Sequence, residues 1–239
     1  MGLLDFFGRK SGNRSLEKHA KRAGDKRAQA ADRWTSLHSL GEMKSADAVE
    51  ALLQRFTFRV DPSITDQEEK ELAFQGILGA GEVAVPPVRT YLKDADHIAW
   101  PVRILDEIEG QDAVVDALIG LLGEMDTEYE RDPQRKIDVL AQLEARPDPR
   151  VAETVTPFLE DVNETVRFHA AGALLAQEDA EAHKGRLIEL LATDEGTRVR
   201  ASVLDAFIER GWGLDDRAKD VQPNLPPGYV LDGTSIRKR

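Results

Sequence analysis

FLEDVNETVRFHAAGALLA (158–176) is followed by LLATDEGTRVRASVLDAFI (190–208), and the correspondence between these two stretches decides how the chain folds. Asp161 falls on Asp194, Val166 on Val199, Arg167 on Arg200, Ala170 on Val203, Ala171 on Leu204 and Leu174 on Phe207, every pair 33 residues apart. A period in this range belongs to arrays of two-helix units, each of which buries its apolar face only against its neighbours. The apolar triplet that marks the second helix continues upstream as Val139-Leu140-Leu143, Ile104-Leu105-Ile108 and Ala73-Phe74-Ile77. Its last members stand at 77, 108, 143, 174 and 207, and an acid recurs before the second helix at Asp94, Asp126, Asp161 and Asp194. Two markers with the same beat establish a repeat.

Each unit then resolves into two helices. Apolar residues at i, i+3, i+4 and i+7 predict first helices over 47–58, 83–93, 112–123, 149–160 and 183–192. Second helices are predicted near 66–79, 97–109, 133–145, 164–177 and 197–210. Thr65-Asp66-Gln67-Glu68 reads as a capping box, Gly79 and Gly110 close helices, and Pro133 and Pro149 occupy first turns. Ala30, Ala31, Trp34, Leu37 and Leu40 predict a partial unit before the first hairpin. The expected architecture is all-α, a right-handed α-solenoid of about five hairpins plus that partial unit. It spans 29–213, between a basic segment 1–28 and a Pro-containing tail 214–239. In the tail, Asp232-Gly233 between short apolar stretches predicts a small hairpin or a strap.

Composition narrows the function. With no Cys among 239 residues, disulfides, thiolate metal sites and a Cys nucleophile are excluded. No run approaches the roughly 18 apolar residues that span a bilayer, and MGLLDFFGRKSG is too short for a secretory leader. A cytoplasmic protein is expected, peripheral to the inner face of a membrane if the basic segment binds lipid. The net charge of −12 is unevenly spread: 1–33 carries nine Lys/Arg against four acids, Arg237-Lys238-Arg239 closes the chain, and 34–236 is left at −20. Such a body repels phosphate backbones, so nucleic acid is not an expected partner.

The second-helix signature VRFHAAGALL and its counterpart VRASVLDAF, each preceded by an Asp, resemble the HEAT-repeat superfamily over about 30–210. The similar branch includes phycobilisome-lyase-like repeats. In the upstream units the pattern departs, with Trp100 and Asp132 six residues after the acid. The resemblance implies a structural ladder of Asp161 with Arg167 and Asp194 with Arg200. A binding role for these arginines on the concave face stays open beside it.

Several chemistries fail on residue type. None of His19, His38, His97, His169 or His183 precedes a Glu, so the paired His-Glu ligands of di-iron HEAT-like hydroxylases are missing and no metal is expected. Trp100 near Asp106 hints at a HEAT-like DNA glycosylase, but a groove for DNA must be basic. Phosphate loops and nucleophile elbows do not occur. The carboxylates Asp66, Glu68 and Glu69 read as solvated helix surface. The acidic run 124–132 around Tyr129 reads as a charged loop suited to a basic partner. Leu3, Leu4, Phe6 and Phe7, followed by Arg9-Lys10, read as a membrane contact, a docking motif or a disordered start.

The function expected from these residues is a non-enzymatic adaptor without a cofactor. It would bind another protein on a concave face carrying Arg103, Arg135, Lys136, Arg167, His169 and Arg200. An accessory lyase or isomerase that handles a bound chromophore is the alternative, and the glycosylase is more remote.

Overall fold

A computed structural model describes residues 14–239. Leu3, Leu4, Phe6, Phe7, Arg9 and Lys10 lie outside the described residues. The described chain is all-α apart from one short hairpin, and it divides into two compact units, 14–114 and 115–239.

In the first unit, α1 (14–23) precedes α2 (Ala30–Met43), α3 (Ala46–Leu53), α4 (Ser63–Leu78), α5 (Val85–Asp94) and α6 (Ala99–Glu109). α2 packs along α4, and the two backbones touch at Gly41 and Gly76. A Cβ on Gly41 would lie 3.0 Å from the Cα of Gly76, so side chains there would push the helices apart. Leu37, Leu40, Leu52, Phe74, Ile77, Val88, Ile104 and Leu105 form the core. Ser45 caps α3 by accepting from the Ala48 amide, as the helix-favouring run AVEALL behind it requires.

Two expectations for this unit need correcting. α4 starts at Ser63, so Thr65-Asp66-Gln67-Glu68 lies inside the first turns instead of forming a capping box. The Asp66 carboxylate reaches back to accept from the Val60 amide at 3.0 Å. Glu69, expected on a solvated face, is fully buried. It faces inward because α2 and the turn after α3 each send an arginine toward it. Arg33 donates to both Glu69 oxygens (3.0–3.2 Å) and Arg55 donates to Oε2 at 2.7 Å. Arg55 also donates to Asp66 at 2.8 Å, and Lys70 donates to Asp66 at 2.7 Å. Burial alone would raise the Asp66 carboxyl. Hydrogen bonds from Lys70, Arg55 and the Val60 amide outweigh it and hold the carboxyl at about 2.

α7 (Gln111–Gly123) runs across the division, and the second unit continues with α8 (Gln134–Glu144), α9 (Val151–Val155), α10 (Glu164–Leu175), α11 (Lys184–Thr193) and α12 (Thr197–Arg210). Pro157 tightens the end of α9 into a 3₁₀ turn, Thr156–Glu160. α10 packs against α8 on one side and α12 on the other. The sequence markers meet in this core: Val166, Ala170, Leu174, Val199, Val203, Leu204 and Phe207 are all buried. Asn163 caps α10 through the Thr165 and Val166 amides. α12 ends at Gly211 with φ 67°. The Trp212 amide returns to Phe207 O and the Gly211 amide to Ile208 O, while the Trp212 ring meets Phe207 edge-on at 5.3 Å. This is a Schellman stop with its apolar clasp.

The tail is a closing layer for this unit. α13 (Ala218–Val221) and the turn Gln222–Asn224 lie against α11, and β2 (Ser235–Lys238), paired antiparallel with β1 (Tyr229–Asp232), lies against α12. The hairpin turns on Gly233-Thr234 with Gly233 at φ 63°, the glycine-first arrangement that suits a two-residue loop. Buried Ile236 and the Tyr229 hydroxyl, which donates to Asp205 at 2.7 Å, fasten it.

Candidate binding surfaces

Each second helix of the second unit carries a cation near its start. That cation binds its own unit's inter-helix turn and the unit that follows. Lys136 of α8 donates to Asp126 O at 2.8 Å and to the Asp161 carboxylate at 2.9 Å. Arg167 of α10 donates to Asp161 O at 2.8 Å and to both Asp194 oxygens at 2.6 and 3.2 Å. Arg200 of α12 donates to Glu195 O at 3.2 Å and to Asn224 O in the tail. Asp161 caps its own turn with its other oxygen, Oδ1, which accepts from the Asn163 amide, and Asp194 Oδ1, shared with Arg167, accepts from the Gly196 amide. The hydrogen bonds that Arg167 donates to Asp194 raise its guanidinium above the ordinary range.

This arrangement corrects three expectations. The pairing is displaced by one hairpin: Asp161 takes Lys136 and Asp194 takes Arg167, and within their own turns Arg167 and Arg200 donate to backbone carbonyls. The arginine position of the third hairpin is held by Lys136, not Asp132, because 124–133 adds residues between the acid and the helix. Lys136 is also 2% exposed, so it cannot meet a partner.

The remaining residues singled out from sequence are distributed differently. His169 is half-buried on α10, with Nδ1 3.1 Å from Glu144 Oε2. Arg135 is half-buried on α8. Arg103 belongs to the first unit, where it lies over the Phe74 ring at 3.9 Å and donates to Glu71. Trp100 stacks on Phe56 at 4.9 Å, which makes it a packing anchor beside Arg103.

Two groups on the second unit went unnoticed in the sequence. Arg198 lies over the Phe168 ring at 3.9 Å, joining α12 to α10. Glu144 crosses from α8 toward α10, where a Cβ on Gly172 would come within 2.7 Å of its carboxylate. A glycine inside a good helix costs about 0.5–1 kcal/mol, and that unexplained Gly172 was the available signal for the Glu144–His169 contact. Glu144, His169, Phe168 and Arg198 thus place a carboxylate, an imidazole, a ring and a guanidinium on three successive second helices.

The acidic loop 124–132 is held by the buried Lys136 ammonium, which takes Asp126 O and, at 3.4 Å, Glu128 O. Thr127 O accepts from the Val162 amide at 3.3 Å. Tyr129 at its tip is 81% exposed. Among the described residues no three His, Asp or Glu side chains gather to hold a metal ion, and no helix is long and apolar enough to cross a membrane.

Neither a protein-family model nor a curated protein matches the chain. Among solved structures, a crystal structure of an engineered protein from the Northeast Structural Genomics Consortium is similar at 20% identity and a TM-score of 0.40. The match takes in 87% of this chain and spans 60% of that one.

Proposed function

We propose that the protein is a non-enzymatic scaffold of the HEAT-repeat kind, a right-handed α-solenoid of about five hairpins and a partial N-terminal unit, cytoplasmic and without a cofactor. Its second helices form the concave face and take a segment of another protein. The observation that carries this reading is the ladder of Lys136, Arg167 and Arg200, each tied to the next layer of the second unit. Cations spent this way hold neighbouring helices in register and do no chemistry. A face fixed before binding loses less freedom when a partner arrives. On this reading the contact groups are Glu144, Phe168, His169 and Arg198, in place of the ladder cations.

Affinity capture with the wild-type chain and with a Phe168→Ala/Arg198→Glu variant tests it. The expected result is one specific protein held by the wild type and lost by the variant, with helicity unchanged. Recovery of the same protein by both would refute the face assignment. A purified chain that is coloured or carries a stoichiometric small molecule by mass spectrometry would favour the accessory lyase or isomerase instead.

A further inference from the structure

The first described helix sorts its residues by charge around its axis. In α1 (14–23), Arg14, Lys18, Lys21 and Arg22 stand at i, i+4, i+7 and i+8, which is one stripe of an α-helix, and all four are exposed. Leu16, His19, Ala20 and Ala23 occupy the opposite side, where Ala23 is fully buried and His19 Nδ1 lies 3.3 Å from Ser36 Oγ on α2. The inner side fastens the helix to the body, so the stripe has a fixed outward direction. Lys26 and Arg27 extend it, also exposed, and 14–27 carries six cations against Glu17 and Asp25. Arg22 pairs with Asp32 at 3.9 Å, and both are exposed. A pair of that kind neutralises little. Burial, then Lys18 and Arg22, hold the His19 imidazole below its ordinary value, as a local positive potential requires.

We infer that this stripe is a docking surface for an anionic membrane, with Arg14, Lys18, Lys21 and Arg22 set against lipid headgroups. Charge complementarity carries the assignment. A polyanion that follows the protein surface, such as duplex DNA, soon leaves the stripe and meets the net −20 of 34–236. A membrane is met as a plane, and charges beyond about 8 Å from it are screened at physiological salt, so one outward stripe suffices.

The test is co-sedimentation of the full chain with vesicles of phosphatidylcholine alone or with roughly a third phosphatidylserine. Binding is expected only with the anionic lipid and is expected to disappear in about 0.5 M salt. Lys18→Glu/Lys21→Glu, at exposed positions that leave the inner side intact, is expected to weaken it at least about ten-fold, each basic residue counting for several-fold near such a surface. Unchanged helicity of the variant shows that folding is not the cause. Equal binding to neutral vesicles overturns the inference, as does a variant that binds like wild type or a duplex DNA that is bound more tightly than the anionic vesicles.

Discussion

The two units bury charge in opposite ways. In the first, Arg33, Arg55, Asp66, Glu69 and Lys70 converge in one knot, with Glu69 shared between two arginines. In the second, the charges are spread as rungs, one cation to each second helix, and every rung closes on a backbone carbonyl as well as on the following layer. A knot concentrates the penalty of desolvation, so each member depends on all the others. A ladder distributes it, and a missing carboxylate leaves its cation with carbonyl oxygens still in place.

The largest expected effect is therefore at Glu69. Glu69→Ala leaves the buried Arg33 guanidinium without a carboxylate and Arg55 with Asp66 alone, and should destabilise the first unit by about 3–5 kcal/mol, read by chemical denaturation. A loss below about 1 kcal/mol would mean that the knot is not cooperative. Asp161→Ala should cost less, about 2 kcal/mol, because Lys136 keeps Asp126 O and Glu128 O. Equal costs for the two substitutions would erase the distinction between knot and ladder.

The smallest effect is one of pH. Asp66 is held at about 2 against an ordinary 3.8, so the stabilisation it contributes is fully present above pH 4 and is lost as pH falls toward 2. Asp148 in the second unit is also held at about 2, first by the Arg150 side chain, but that arginine is exposed. Added salt should flatten the acid-induced loss of stability due to Asp148 and leave most of that due to Asp66. Thermal melts of Asp66→Asn and Asp148→Asn between pH 2 and pH 5, roughly the range where carboxyls titrate, at two salt concentrations, would separate the two contributions.

How far the sequence could be read depended on whether a residue's partner lies at a fixed spacing. Val166, Leu174, Val199 and Phe207 were legible because a buried anchor must recur at the same place in every layer. The rungs were legible as positions but not as pairs. Asp161 is six residues from Arg167 along the chain and twenty-five from Lys136, yet it is Lys136 that it binds. Counting back seven places from Leu143, as Arg167 stands from Leu174, would have found Lys136. Counting forward from Asp126 ran into the lengthened loop. Glu69 was illegible for a different reason: it looks like any carboxylate on a charged helix, and only the arginines that α2 and the turn after α3 bring to it mark it as interior. The Glu144–His169 contact depended on an absence, the missing side chain of Gly172.

The tail answers the last rung in a way that bears on how such a chain can change its length. Arg200 finds the Asn224 carbonyl where its counterparts find a carboxylate one layer on, and the Asn224 side-chain amide donates to Ala192 O on α11. Because every joint in the second unit offers a cation on one side and an acceptor on the other, a whole hairpin could be gained or lost between α10 and α11 without redesigning either neighbour. The closing segment would then move along with its joint, and the chain could vary its reach by duplication while keeping the same finish.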